Sequence, residues 1–235
     1  NILTSQLSSY DYEILFIDND STDGTREILR QICSENRKIK AILNAKNFGF
    51  SDSSYYGLLQ TSGDCAIMLC CDFQDPPELI PDMVKAWEKG NKIIVMQKTE
   101  SEENRFMYLI RSCYYKLMKN LSNVDQIEHF TGFGLYDKSF IQILRNLRDT
   151  APFLRGIVAE LGSKVKIIPY VQAKRRAGKS HYNLLKLYDL AMVGFTAYTK
   201  TGLRAATFLG FMTAMASLIA GFYFLIYKLL YWNEF

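Results

Sequence analysis

Asp72, Gln74 and Asp75 stand in the run Leu69-Cys70-Cys71-Asp72-Phe73-Gln74-Asp75-Pro76-Pro77-Glu78. Their side chains are hard oxygen donors, suited to Mg²⁺ or Mn²⁺ shared with a diphosphate. The run follows Ala66-Ile67-Met68-Leu69, a short apolar segment that reads as a buried strand. Pro76-Pro77-Glu78 then sets a turn and a helix start with an acid in its first turn. Two carboxylates and a carboxamide therefore sit just past the C-terminal end of a strand, where open α/β sheets bind ligands. The plain alternative is an acidic strand-to-helix turn with an Asp cap.

The elements that must position this run alternate in type. Strands are predicted over Tyr12–Ile17, Ile39–Leu43, Ala66–Leu69 and Ile93–Met96, with helices over Arg26–Glu35, Asp52–Gln60 and Leu79–Lys89 between them. That order predicts an α/β fold with a mostly parallel sheet flanked by helices. Three polar loops, Asp18–Asp23, Asn44–Gly49 and Asp72–Glu78, then collect at one sheet edge. Neither a Gly-x-Gly-x-x-Gly turn nor a P-loop is present, so a dinucleotide or P-loop site is disfavoured. Further on, a long helix is predicted over Arg105–Leu121. A glycine-bearing strand over Phe130–Tyr136, helices over Ser139–Leu147 and Phe153–Leu161, and a strand over Val165–Tyr170 follow it.

Net charge is +4, too mild to imply a nucleic-acid partner by itself. The charge is uneven: residues 172–204 hold seven Lys and Arg against one acid, a local +6, so the rest of the chain sums to −2. The five cysteines show no zinc-type spacing and read as reduced thiols of a cytosolic domain. Behind the basic block, Ala205 to Tyr227 is 23 residues without a charge, long enough to span a bilayer. Tyr182 to Tyr198 suits an amphipathic helix lying at the membrane interface. Trp232 fits an interfacial belt, and basic residues preceding the span place the α/β domain on the cytoplasmic side of the cell membrane. The layout expected is a catalytic domain over 1–172, a basic loop and interfacial helix over 173–204, and a transmembrane helix over 205–231. The first residues read as the middle of a helix and the last follow directly on the span, so both ends are expected to be incomplete.

Several stretches carry a resemblance. Ile17-Asp18-Asn19-Asp20-Ser21-Thr22-Asp23-Gly24-Thr25 is similar to the V-D-D-G-S-T-D-G-T signature of family 2 glycosyltransferases, and Lys46-Asn47-Phe48-Gly49 to their R-N-F-G. Asp72-Phe73-Gln74-Asp75-Pro76-Pro77-Glu78 resembles D-L-Q-D-P-P-E of the polyprenyl-phosphate group, to which dolichol-phosphate mannose synthase and bactoprenol glucosyltransferase belong. Phe153-Leu154-Arg155-Gly156 matches F-L-R-G, and Arg175-Arg176-Ala177-Gly178-Lys179-Ser180-His181-Tyr182 resembles R-x-A-G-E-S-K-Y. The motifs keep the family's order over residues 12–204.

The resemblance implies a GT-A-like fold and an inverting glycosyltransferase. It also implies a nucleotide-sugar donor, a polyprenyl phosphate acceptor and a divalent cation, Mg²⁺ or Mn²⁺. By match, Asp18 faces the base or ribose, Asp72 and Gln74 sit at the metal, and Arg175 and Ser180 hold diphosphate or acceptor phosphate. Lys179 joins Arg175 in stabilising the departing diphosphate. Asp20, Lys46 and Asn47 complete the donor side, Asp20 and Asp23 serving equally well as helix caps. Arg155 is either an acceptor-phosphate ligand or a loop-fixing residue. The bacterial look of the motifs points to UDP-glucose and undecaprenyl phosphate. The lipid bilayer is a further partner, a second copy of the chain a candidate one, and nucleic acid is not expected.

Three departures from the family pattern matter. The first Asp of its D-x-D falls on Cys70, and a thiol is a poor Mg²⁺ ligand. Its candidate catalytic Asp falls on Gly132. Its first strand, its P-x-Y-N-E loop and the second transmembrane helix common in bacterial members do not occur in the sequence. An acceptor phosphate, with a second pKa near ~6, is already anionic and needs no strong base to attack. Asp125, Glu128 and His129 are substitute bases nearby in sequence. Two other readings stay open: a non-catalytic, membrane-tethered binder of nucleotide-sugars, and a transferase with a glycan acceptor. The second lacks its usual Q-x-x-R-W motif.

Overall fold

The computed structural model describes residues 2–100, 112, 116, 118, 121–122, 124, 126–147, 149, 152–162, 164–173 and 184–232. A short helix α1 (Ile2–Gln6) precedes the first βαβ unit, β1 (Ile14–Asp18), α2 (Thr25–Glu35) and β2 (Ile39–Leu43). The two strands pair in parallel from Ile14 opposite Ile39 to Asp18 opposite Leu43. Helix α3 (Phe50–Leu59) leads to β3 (Cys65–Met68), and a 3₁₀ turn (Pro77–Leu79) leads into α4 (Ile80–Glu88) and β4 (Ile93–Glu100). Next come β5 (Phe130–Asp137), α5 (Lys138–Leu147), α6 (Leu154–Leu161) and β6 (Val165–Val171). Two helices close the chain, α7 (Leu184–Tyr198) and α8 (Thr201–Leu230). The helix expected over Arg105–Leu121 lies mostly outside the described residues; the four described within it are helical.

The α/β class expected from the strand and helix order holds, but the strands fall into two sheets: β1 and β2 pair only with each other, and the larger sheet is mixed. β3, β5, β4 and β6 lie side by side in that order. β4 and β6 are parallel, while β5 is antiparallel to both β3 and β4. Three of the four strands thus run one way and β5 opposes them. The physical reason is the chain's route. β5 arrives after an excursion of some thirty residues and enters between two strands already spaced by a βαβ crossover. Its first residues therefore lie at the sheet edge where β3 ends.

Both faces of this sheet are covered. Ile93 and Val95 of β4 join Phe130, Tyr136, Leu144, Ile157 and Val158 on one side, under α3, α5 and α6. Ile94 and Met96 alternate to the other side, where they meet Met83, Val84, Phe133 and Leu135 under α4. A strand buried on both faces reads as an uninterrupted apolar run, which is why Ile93-Ile94-Val95-Met96 shows no polar alternation. Helix α8 is different, because its residues are exposed along its whole length. Its 30 residues are apolar enough to cross a membrane, and a core helix of that composition would be mostly buried. At ~1.5 Å per residue it measures roughly 45 Å, the thickness of a bilayer with its headgroups. It is longer than the 205–227 run and takes in Arg204 near its start and Lys228 near its end.

Ile94 is fully buried and touches residues from β5 and α4. Ile94→Ala is expected to lower stability by about 2–5 kcal/mol. Ile28→Ala, at an exposed position on α2, should change it by less than ~0.5 kcal/mol. Chemical denaturation in detergent micelles, followed by circular dichroism, checks both.

Candidate functional site

The loops after β1 and β2 are one hydrogen-bonded body, and Asn19 joins them. Its Oδ1 accepts from the Phe48 N–H at 2.9 Å, the Ser53 hydroxyl at 2.8 Å and Asn44 Nδ2 at 3.2 Å. Its Nδ2 donates to Asn47 Oδ1 at 2.9 Å. A carboxamide suits this hub because it both donates and accepts. Asn19 was not among the residues the sequence singled out. The available signal was its place inside the Asp18-Asn19-Asp20 motif, but its partners lie 25 to 34 residues away in the chain.

Asp18 sits at the end of β1 with its carboxylate shielded from solvent. It lies 2.9 Å from Arg26 Nε and accepts the Ser21 N–H at 3.2 Å. Burial pushes its pKa up, but the Ser21 hydrogen bonds and the Arg26 charge outweigh this and hold it below the usual carboxylate range. Arg26 in turn donates to the Asn44 carbonyl. Asp18 thus acts through Arg26 to clamp the two loops. Asp20, in the left-handed region at φ 67°, carries the more open carboxylate, 3.4 Å from Arg26 Nη1. Asp23 accepts from the Thr25 N–H at 3.2 Å and its hydroxyl at 2.6 Å, so it serves the start of α2. Lys46 lies over the Phe48 ring at 5.0 Å, and both Lys46 and Asn47 are exposed at the rim.

The third loop turns one of its carboxylates inward. Asp75 is 3% exposed; it accepts from the Cys70 N–H at 3.2 Å and the Tyr170 hydroxyl at 2.9 Å. Of the three oxygen donors read from this run, Asp75 therefore fixes the loop to β6 and is not presented to a ligand. Burial raises its pKa, and burial together with Asp75 and Asp72 keeps the Cys70 thiol protonated at neutral pH. Asp72 Oδ1 accepts from the Gln74 N–H at 3.1 Å, a local turn that leaves the side chain half-buried. Among the described residues no cluster of three His, Cys, Asp or Glu is placed to hold a metal. The donor set of Asp72 and the Gln74 carbonyl fits a cation that draws its other oxygens from a diphosphate, and does not fit a closed protein cage.

The opposing strand explains the missing carboxylates. β3 pairs with β5 up to Met68 opposite Gly134, so Cys70 and Gly132 each lie two residues beyond the last pair, Cys70 in the loop and Gly132 in β5. Gly132 has φ 106°, and a β-carbon there would lie 2.5 Å from Met68 Cε. Its carbonyl accepts from the buried Tyr136 hydroxyl at 2.7 Å. An aspartate there would have to displace the end of the Met68 side chain, and the positive φ disfavours any side chain. Of the substitute bases, Glu128 is exposed and His129 half-buried at φ 56°, while Asp125 lies outside the described residues. Arg155 stacks on Phe153 at 4.9 Å and points Nη1 at the Phe130 carbonyl, 3.5 Å away. Among the described residues no carboxylate pairs with it. Arg175, Lys179 and Ser180 lie outside the described residues.

The family of the chain follows from its sequence. Glycosyl transferase family 2 matches residues 2–161, so the chain belongs to that family and is a glycosyltransferase with a GT-A-like fold. The prophage bactoprenol glucosyl transferase homolog of Escherichia coli (strain K12) is 28% identical over 229 residues, 97% of this chain and 75% of that protein. The bactoprenol glucosyl transferase of Shigella phage SfV is 29% identical over the same shares. Among solved structures, a mannosyltransferase of Pyrobaculum calidifontis in complex with GDP-Man and Mn²⁺ aligns with TM-score 0.46 and 14% identity. That alignment covers 72% of this chain and 49% of that one.

Asn19→Ala removes the acceptor shared by three donors and should cost about 1–3 kcal/mol. Gly132→Asp should cost a similar ~1–3 kcal/mol through the strained backbone and the displaced Met68. Unfolding midpoints of both variants check this. A Gly132→Asp protein as stable as the parent would mean that the strand end relaxes freely.

Proposed function

We propose that this chain transfers a sugar from a nucleotide-sugar to a polyprenyl phosphate at a membrane surface. The observation that carries the reading is the pairing of two features in one chain. One is the loop body tied by Asn19 after β1 and β2, with the Asp72 loop following β3 in the chain; the other is a 30-residue apolar helix exposed along its length. The names of the relatives that align with 97% of this chain support a bactoprenol-type acceptor. UDP-glucose and undecaprenyl phosphate are the substrates we assign. Residues 1–172 would form the catalytic domain, 173–204 the basic link and 205–231 the span. The +6 charge of the link supports a cytoplasmic side for the domain.

Asp20, Lys46 and Asn47 offer charge and hydrogen bonds to the donor at the rim, with Asp18 holding their loops through Arg26. Asp72 and Gln74 would hold Mg²⁺ or Mn²⁺ together with the donor diphosphate; when bound, the ion neutralises charge on the leaving group. Arg155, Arg175 and Ser180 would receive the acceptor phosphate, and Arg175 with Lys179 would stabilise the departing diphosphate. A phosphate oxygen of the acceptor forms the new bond to the anomeric carbon. The bond to the nucleoside diphosphate breaks on the opposite face, so the configuration inverts. The leaving group takes the bonding electron pair, and the acceptor oxygen carries no proton to be removed. Catalysis then rests on orientation and on charge at the diphosphate, not on a general base. This accounts for a working site with glycine at position 132.

The test is transfer of labelled sugar from UDP-glucose to polyprenyl phosphate, titrated with metal, for the parent, Asp72→Asn and Cys70→Asp. Asp72→Asn should slow transfer by about a hundredfold or more. Cys70→Asp should tighten Mg²⁺ by supplying a second carboxylate. Transfer by Asp72→Asn at the parental rate in saturating metal would reduce Asp72 to a turn residue. A parent that binds donor but transfers nothing would favour the non-catalytic reading, to which Cys70 and Gly132 lend weight.

A further inference from the structure

The F-L-R-G segment has a partner outside the transferase fold. Gly156 lies in the first turn of α6, on the face that also buries Leu154, Ile157 and Val158. A glycine inside a helix is unfavourable by ~1 kcal/mol relative to alanine, so its retention calls for a contact. That contact is Tyr198, the last residue of α7. A β-carbon at Gly156 would stand 2.1 Å from Tyr198 Cε2, 2.4 Å from Cζ and 2.7 Å from the hydroxyl oxygen. The Tyr198 ring therefore lies directly on the α6 backbone, and its centroid is 6.1 Å from that of Phe153. Thr199, next in the chain, is buried, and α8 starts at Thr201. Phe195 packs on Gly202, which folds α7 against the start of α8. The apolar helix is thus joined to the transferase domain at Tyr198.

The other side of the same segment faces the reaction edge. Arg155, between Phe153 and Gly156, reaches the Phe130 carbonyl at the start of β5. That end of β5 runs on past the last pair with β3, Met68 opposite Gly134, on the side of the sheet where β3 gives way to the Asp72 loop. One short segment therefore contacts the membrane-facing helices with Phe153 and Gly156 and the edge of the site with Arg155.

We propose that the Gly156–Tyr198 contact is a positioning seat: it fixes the transferase domain on its membrane helices so that a lipid-borne phosphate meets Arg155 at the mouth of the site. Tyr198 and Gly156 touch no reacting atom and leave Arg155 in its own place within the domain; they act through the placement of the whole domain relative to its membrane helices. The proposal rests on the polyprenyl phosphate reading above.

The test uses the full chain in vesicles of phosphatidylethanolamine and phosphatidylglycerol with UDP-glucose as donor. Two acceptors of equal headgroup are compared, a long-chain polyprenyl phosphate in the vesicle and a water-soluble short-chain isoprenyl phosphate. Tyr198→Ala and Gly156→Val should lower kcat/KM for the vesicle acceptor by about tenfold or more. Transfer to the short-chain acceptor and donor affinity should stay unchanged. Tyr198→Phe, which keeps the ring, should behave as the parent. Backbone hydrogen exchange at residues 199–202 should quicken in Tyr198→Ala. Equal loss with both acceptors, or no loss with either, overturns the seat. If the parent transfers sugar to neither acceptor, the acceptor reading falls and exchange alone decides: unchanged protection at 199–202 in Tyr198→Ala overturns the seat, and lost protection supports it.

Discussion

Strand β5 lies between β3 and β4 and runs against both, and the rest of the domain is arranged around that reversal. Phe130 and Tyr136 fill the core on one face of the sheet, Phe133 and Leu135 on the other. The far end of the strand is anchored by Asp137. Its carboxylate accepts from Trp87 Nε1 at 2.7 Å, Lys92 Nζ at 3.1 Å and the Ser139 N–H at 2.9 Å. Burial opposes its ionisation, but these partners hold its pKa well below the usual carboxylate range. A carboxylate so depressed contributes stability above its unfolded pKa and loses it only as pH falls through the folded value. The anchor therefore holds at neutral pH. The near end of β5 is thereby presented at the edge where β3 stops, and it brings Gly132, the Phe130 carbonyl and, through it, Arg155 to the candidate site.

At that edge the chain combines a rigid half and a rebuilt half. The loops after β1 and β2 are cross-linked by Asn19 and by the Asp18–Arg26 pair, so their rim residues are positioned before any ligand arrives. Preorganised donors of this kind cost little to bring to a charged ligand. The rebuilt half holds Cys70 and Gly132, a protonated thiol and a glycine at the two positions where the resemblance expects acids.

Much of this was legible in the sequence, and the limits have physical causes. The run Ile93-Ile94-Val95-Met96 announced a strand covered on both faces, and the uncharged run from Ala205 announced α8, because both signals are local. The direction of β5 was not legible, since nothing in Phe130–Asp137 encodes which neighbours it pairs with. Asp75 reads as a ligand beside Asp72 because a sequence does not say which way a turn points its side chains; Tyr170, 95 residues on, decides it. Gly132 reads as a lost acid, whereas its positive φ marks a backbone conformation that residues with side chains rarely adopt. Asn19 hides between two aspartates for the same reason: its role exists only once two loops meet.

The central claim is that the loops after β1, β2 and β3 form one donor site. Hydrogen-exchange mass spectrometry of the full chain in detergent, with and without saturating UDP and Mg²⁺, tests it most directly. Protection rising together over residues 18–23, 44–49 and 70–78, with α4 and α8 unchanged, is the result this account predicts. Protection confined to one of these loops, or appearing only elsewhere in the chain, would contradict it.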